Sequence, residues 1–368
     1  MDKLSQPSAC RVAKISSVVP SRAAAFQACA LSESFRAGGV APRLPTHPKG
    51  HFGTIAHDFI HSASVGTFVG CDELEVRLRL RAAIGQYEKE LALSPFDAVL
   101  IPLSLSCEDF EFNLRKLTKT AFGISSRFQT SQDSLPRAVI NREKEVSSKD
   151  GLIVGRLDKV KTYDNQTVIS DLKTGQIRDE QGSVLPHILL QLRLYAYLLH
   201  ESTNRWPDRL VVSGFDAEWV EIPFTPEDAA NAAAELKELL AKSNLIIDEI
   251  VAGSKQEEDL ASPSPEACKF CVYRLSCAAY WNERSKFPDL HWPRDIRGTI
   301  KNVKLLGKGL ATLELLDSSG RPVVIRGIRE TLARGVGNSG EVTICGLKSE
   351  RAPRAFSWRP TSVLLADK

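Results

Sequence analysis

At 368 residues the chain exceeds one typical domain, so two or three packed units are expected, each with room for its own core. Its 43% hydrophobic and 25% charged content is that of a soluble globular protein, and a net charge of +3 singles out no partner class. No apolar run reaches the roughly 18 residues of a membrane helix, and the opening MDKLSQPSACRVAKISS lacks the apolar centre of a signal peptide. An intracellular, cytoplasmic protein is expected. Eight cysteines are too sparse for a disulfide scaffold in so long a chain, so a local cluster of them reads as metal-holding.

In chain order, a polar tail over residues 1–15 precedes an Ala-rich helical stretch that starts at Pro20-Ser21 and stops at Gly38-Gly39. Residues 72–94 repeat apolar positions at helical spacing with heavy charge between them, the pattern of a surface helix. The pattern weakens over 120–150, where SSRFQTSQDSLPR reads as an exposed loop. From Gly151 strands take over, in LIVGRLDKVK and TVISDLKT. A helix follows in VLPHILLQLRLYAYLLHES, then two strands in RLVVSGF and EWVEIPF. Thr225-Pro226-Glu227-Asp228 supplies an N-cap, a first-turn proline and an acidic first turn for a helix running to about Lys242. SKQEEDLASPSPEA is a polar linker into a cysteine cluster. The alternation fits a mixed α/β sheet flanked by helices.

Residues 293–368 read as a separate small all-β unit. Three strands turn at 307–309 and 317–320, RETLARGVG is a short helix, and EVTICGL and SVLLAD close the set. That layout matches an oligonucleotide-binding (OB) barrel. The segment carries 14 lysines and arginines against 7 aspartates and glutamates, a surplus of 7 that exceeds the charge of the whole chain. With Phe356 and Trp358 near its closing strands, it is suited either to holding single-stranded nucleic acid by charge and stacking or to burying those rings as core.

The two strands after Gly151 bring acids together. If Asp164-Asn165 forms a two-residue turn, paired residues sum to 329 and Asp158 lies directly opposite Asp171. Opposed side chains in a hairpin hold Cβ atoms roughly 4.5–5.5 Å apart, where like charges repel. Lys173 shares their face, and Leu157 and Leu172 pair behind as core. Two readings stand: an exposed hairpin with an ordinary Asp-Lys pair, or a divalent metal site. Two carboxylates suit Mg²⁺ or Mn²⁺ with room left for water and phosphate oxygens, and a lysine beside the metal suits phosphodiester hydrolysis. Gln191 and Tyr195 are four apart on the following helix and face one way. Upstream, GTIAHDFIH places His57 and His61 four apart on a helix.

In this order, His57 within GTIAH, Gly155-x-x-Asp158, Asp171-x-Lys173 and Gln191-x-x-x-Tyr195 resemble the motifs of RecB-type members of the PD-(D/E)XK nuclease superfamily, over roughly residues 15–285. The resemblance implies a restriction-endonuclease-like nuclease domain over 16–285. It further implies metal held by His57, Asp158, Asp171 and the Leu172 carbonyl, a catalytic Lys173, and a helix motif of Gln191 and Tyr195 that helps hold DNA and the site. His61 has no counterpart and is set aside. Cys268-x2-Cys271-x5-Cys277 places three thiols within reach of one metal centre. Iron-sulfur members of the group resemble this arrangement with one further cysteine before the core, here Cys29, and hold a [4Fe-4S] cluster as a clasp. Four thiolates suit that cluster or tetrahedral Zn²⁺. Cys10, Cys71, Cys107 and Cys345 read as ordinary residues. The implied activity is that of a Mg- or Mn-dependent deoxyribonuclease, an exonuclease acting on single-stranded DNA or DNA ends in repair, recombination or defence. The alternative is a nucleic-acid-binding module without cleavage, or a subunit of a helicase-nuclease complex. The chain has no Walker A loop, so any helicase motor would be a partner.

Overall fold

The computed structural model describes residues 11–130, 139–163, 166–214, 219–288, 290–336 and 340–366. Its helices are, in chain order, α1 Ala23–Ala28, α2 Ala30–Ala37, α3 Pro48–Ser64, α4 Glu73–Leu91, α5 Leu103–Ser106, α6 Phe110–Thr130, α7 Pro186–Thr203, α8 Pro226–Val251, α9 Pro265–Lys269, α10 Ala278–Lys286 and α11 Glu330–Val336. They divide between two compact units. The first comprises the described residues of Met1–Ala41, Lys49–Glu90 and Cys107–Ser262, and the second those of Pro42–Pro48, Leu91–Ser106 and Pro263–Lys368.

The first unit is built on a mixed five-stranded sheet, β1 Val139–Ser147, β2 Val154–Tyr163, β3 Gln166–Lys173, β4 Arg209–Gly214 and β5 Trp219–Ile222, ordered in space as in sequence. All neighbours are antiparallel except β3 and β4, which run parallel. A parallel pair needs a crossover, and α7 supplies it. Its buried stripe Ile188, Leu192, Tyr195, Ala196 and Leu199 follows the helical period. β3 and β4 are buried on both sides over Val168, Ile169, Leu210, Val211 and Val212, as a parallel pair beneath helices should be. The β2–β3 hairpin has the expected register, with Lys159 opposite Ser170 and Thr162 opposite Thr167. The Asp164-Asn165 turn inferred from it lies outside the described residues.

Several elements depart from the sequence reading. The single helix expected after Pro20 is a 3₁₀ turn and two helices, broken at Cys29. There the backbone is extended (φ −161°, ψ 105°) and caps α2. The stop at Gly38-Gly39 holds, with Gly39 at φ 67°. Helix α6 runs on through residues 125–130, where an exposed loop was expected; Ser126 continues the helix while its hydroxyl bonds back to the Phe122 carbonyl. The remainder of that loop, 131–137, lies outside the described residues. Strand β1 also forms where the pattern weakened, since an edge strand needs little apolar content once β2 offers a ladder. The Thr225/Asp228 capping box opens α8 as read, but the helix continues nine residues past Lys242 because Ser243, Ile247 and Ile250 keep its buried stripe going.

The second unit carries a seven-stranded sheet in the order β10-β11-β8-β7-β6-β9-β12. Its strands are β6 Ile296–Gly307, β7 Leu310–Asp317, β8 Pro322–Arg329, β9 Gly340–Cys345, β10 Lys348–Ser349, β11 Ala355–Ser357 and β12 Val363–Ala366. The three leading strands form a meander, α11 follows the third, and β9 returns to pair with β6. Two short strands not read from the sequence, β10 and β11, add to the expected five. β11 pairs in parallel with β8, while β12 pairs with β9 on the far side. Only residues 358–362 separate them. A span that short reaches at most about 20 Å, so the sheet must curl. Register shifts in β6 and β7 and the close approach at Gly298, where a Cβ would lie 2.2 Å from the Leu316 carbonyl oxygen, permit the bend. Its core is Ile300, Leu313, Ile325, Val342 and Ile344. Phe356 and Trp358 pack half-buried against it, as core rather than fully presented rings.

Within this unit the cysteine-bearing segment is tied to the sheet through one buried acid. Asp295, fully buried, accepts from Arg274 Nε at 2.7 Å, from the Tyr280 hydroxyl at 2.9 Å and from the Gly346 amide at 2.9 Å. Arg274 also donates to the carbonyls of Lys269 and Cys271.

Candidate active site

The site grows from the end of the β2–β3 hairpin. Because side chains alternate along a strand, Asp171 and Lys173 share one face of β3 while Leu172 points away. Asp158 stands across from them on β2. Its Oδ2 accepts from the Leu172 amide at 3.2 Å and lies 3.4 Å from Nδ1 of His57, on α3. Asp171 is 2% exposed. Its Oδ1 accepts from Gln191 Nε2 at 3.0 Å, and Lys173 Nζ stands 2.8 Å from its Oδ2. Gln191 in turn accepts from Lys173 Nζ at 2.7 Å and donates to the Tyr195 hydroxyl at 3.2 Å. Spacing of four on α7 places Gln191 and Tyr195 one above the other, so one helix face supports both the acid and the lysine.

Glycine makes the close approaches possible. A Cβ on Gly155 would lie 3.0 Å from Pro20 Cδ and 3.3 Å from Tyr195 Cε1. The glycine of the Gly155-x-x-Asp158 motif thus lets the Pro20 turn and the Tyr195 ring meet over β2. Gly53 does the same where α3 passes Thr174, immediately after Lys173, with 3.2 Å to Thr174 Oγ1.

Electrostatically the site is under tension. Burial pushes the Asp171 carboxyl up to about 6, with the Asp158 charge adding to the rise and the Lys173 and His57 charges opposing it. Tyr195 is raised well above an ordinary phenol, chiefly by burial and then by the Asp171 charge, so its hydroxyl stays neutral and hydrogen-bonding. His187, in the first turn of α7, is shifted toward the neutral ring by burial and by the Lys173 charge. No sequence pattern singles out His187, and Pro20 is marked only as a helix start. Their signal is purely spatial.

Beside Lys173 opens a cleft of about 390 Å³ whose wall includes Lys49, Lys116, Lys173 and Arg178, with Asp109 its one acid. Such a wall suits an anionic, phosphate-bearing chain.

The structure brings His57, Asp158, Asp171, Leu172, Lys173, Gln191 and Tyr195 into one neighbourhood. His61 lies on α3, half-buried, and takes no part in the polar contacts of the site described above. Among the described residues no three His, Cys, Asp or Glu side chains close to metal-ligating geometry. The donor chemistry nonetheless fits a hard divalent cation. Asp171 Oδ2 is buried without an aligned hydrogen-bond donor, the Lys173 ammonium being near but off-axis. An imidazole and a second carboxylate stand next to it. Cys268 is buried in a cluster with Tyr280 and Trp292, against which Cys277 and Trp281 pack, and Cys271 is half-buried. These three belong to the second unit, and Cys29, half-buried at the break between α1 and α2, to the first.

Comparison with curated proteins finds no match. Comparison with protein families matches residues 17–278 to the PD-(D/E)XK nuclease superfamily. That span holds the whole mixed sheet, α7 and every polar contact of the acidic site, and the chain belongs to the PD-(D/E)XK nuclease superfamily.

Proposed function

We propose that this protein is a metal-dependent deoxyribonuclease of the RecB type, an exonuclease acting on single-stranded DNA or DNA ends in repair, recombination or defence. The observation that carries the reading is the buried Asp171 carboxylate, opposed by Asp158 and flanked by Lys173. The Lys173 ammonium offsets part of that charge, and a divalent cation at the otherwise unbonded Asp171 Oδ2 would offset the rest. Asp158, Asp171, the Leu172 carbonyl and His57 are the groups that would hold Mg²⁺ or Mn²⁺. The ion supplies a Lewis acid and an activated water when bound. Gln191 fixes both Asp171 and Lys173, so the lysine ammonium has a defined position at the mouth of the basic cleft. There it offsets negative charge growing on the phosphoryl oxygens as water adds to phosphorus and the P–O bond breaks. The Tyr195 hydroxyl holds Gln191 from behind.

Two parts of the reading lie outside this site. The curled sheet of residues 293–368 is proposed as an OB-like domain that holds single-stranded DNA. Its support is the strand connectivity and the surplus of seven positive charges. Cys29, Cys268, Cys271 and Cys277 are proposed to hold a [4Fe-4S] cluster, with Zn²⁺ as the alternative. The support is three thiols within ten residues on a segment that Arg274 and Asp295 anchor. Iron and zinc content and the visible absorbance of the purified protein decide between them, and a stable, colourless, metal-free protein overturns both.

The test of the activity is cleavage of 5′- and 3′-labelled single- and double-stranded DNA with Mn²⁺, Mg²⁺ or EDTA, by the wild type and by Lys173→Ala. Metal-dependent cutting lost in the variant is expected, and the label pattern gives the polarity. A folded, metal-supplied wild type that binds DNA without cutting it refutes the enzyme and leaves a binding module or a nuclease that needs its helicase partner.

A further inference from the structure

The second unit contains a cavity of about 710 Å³ lined from residues 44–48, 291–294 and 346–349 and by Glu266, Lys269, Phe270, Arg274 and Arg359. Its charge is one-sided. Lys269, Arg294, Lys348 and Arg359 are all exposed on its wall, and none is drawn into an ion pair among the described residues. A fifth cation, Arg274, is committed to Asp295. Glu266 is the lone acid. Four exposed cations without acidic partners around one hollow raise a positive field that favours a polyanion or a cluster of anions.

The cavity also has an aromatic feature that a simple anion does not need. Phe270 is 61% exposed, unusual for a ring of its size. Lys269 Nζ sits 5.1 Å from its ring centre and the His47 ring meets it edge-on at 5.3 Å. The ring thus touches Lys269 and His47 while keeping much of its surface in water. A fixed exposed ring next to several cations is the arrangement that stacks an unpaired base while its phosphates are held alongside.

We propose that this cavity is a second nucleic-acid site that holds about two nucleotides of a single strand. In it a base stacks on Phe270, and Lys269, Arg294, Lys348 and Arg359 bind the flanking phosphates. The volume suits two nucleotides and is too small for a duplex, whose paired bases would in any case present no free face to Phe270. The inference deepens the proposed single-strand role of residues 293–368, which supply Arg294, Lys348 and Arg359, and rests on the nuclease reading in choosing nucleic acid over other polyanions; its test needs no cleavage.

Binding of fluorescent dT20 is measured by anisotropy in EDTA, where hydrolysis plays no part, against a salt series. For Lys348→Glu/Arg359→Glu the dissociation constant is expected to rise at least tenfold. The slope of log K against log salt is expected to fall by about 1.4, from two lost phosphate contacts on a single strand at about 0.7 each. Phe270→Ala should weaken dT20 binding by roughly 5- to 140-fold with the salt slope kept, the signature of a lost stack. Lys348→Gln/Arg359→Gln, which adds no acid to the wall, should weaken binding in the same direction by less. Circular dichroism shows whether each variant is folded, and all three positions are exposed. Unchanged affinity and slope in both Lys348/Arg359 variants overturn the proposal. So does equal competition by dTMP or by poly-glutamate at matched charge, which would assign the cavity to a small phosphate ligand or to an acidic peptide. Binding lost in these variants while cleavage is absent in every protein would leave this site standing and the nuclease reading refuted.

Discussion

Asp171 should make the metal-free protein less stable than it needs to be, and replacing it with asparagine should reveal by how much. In the folded chain its carboxyl is pushed up to about 6, against an ordinary value of 3.8. The folded state therefore binds the proton more tightly than the unfolded one. The penalty is absent below about pH 4, grows as pH rises between the two values, and is complete above the folded one. That difference amounts to a penalty of roughly 2–3 kcal/mol by pH 8. Lys173 is already counted in that figure, because its attraction lowers the same carboxyl. Asp171→Asn removes the charge and keeps an acceptor for Gln191, at the cost of setting an amide near the Lys173 ammonium. The expected gain is about 1–3 kcal/mol at pH 8 in EDTA, shrinking to nothing near pH 4, read by urea unfolding at each pH. Mn²⁺ at a hundred times its dissociation constant adds about 2.7 kcal/mol to the wild type through mass action and should cancel the variant's advantage. An Asp171→Asn protein that is less stable than the wild type at pH 8 without metal, or a difference that ignores pH, would refute the reasoning.

Three further outcomes follow from the packing. Asp295→Ala leaves the Arg274 guanidinium, 11% exposed, unpaired in the interior and strips partners from Tyr280 and Gly346. A loss of about 3–5 kcal/mol is expected in urea unfolding of the full chain. Because Asp295 is held below the usual carboxylate range by Arg274 and its other donors, against the opposing effect of burial, this contribution should persist on acidification to pH 4 and fade only lower. Gly155→Ala should cost about 1–3 kcal/mol and slow cleavage, because the new methyl displaces Tyr195 and with it Gln191; wild-type stability and rate together would show that Pro20 yields instead. Gly298→Ala, whose methyl meets the Leu316 carbonyl at 2.2 Å, should cost about 3 kcal/mol or more, measured as the shift in urea midpoint.

The legible part of the sequence was what local rules govern. The hairpin register, the capping box at Thr225 and the meander of the second unit each follow from a turn or a period. So did the pairing of Gln191 with Tyr195, since four residues on a helix fix a face. What local rules do not reach is less legible. β1 forms because β2 is there to pair with it, not because its own residues alternate. β11 is three residues long and is held by the strands on either side, β8 and β10. The Cys29 break interrupts an alanine-rich run with no glycine or proline to announce it. Around Phe270 the cations come from four separated stretches of chain, so no window of sequence contains the cavity.

The same logic accounts for how the acidic site is held together. Two opposed aspartates would unmake a bare hairpin, so the cost has to be met by elements that are stable without them. The apolar strip of β3 and β4 is buried independently of the acids, and α7 is anchored by Ile188, Leu192 and Leu199 rather than by its polar pair. Gln191 then joins acid, lysine and tyrosine without bearing charge itself, which is why a glutamine suits that position. A glutamate would add a third negative charge, and a lysine would compete with Lys173 for Asp171. The repulsion is thus confined to the two aspartates on a rigid frame, and the frame keeps them close where repulsion alone would drive them apart.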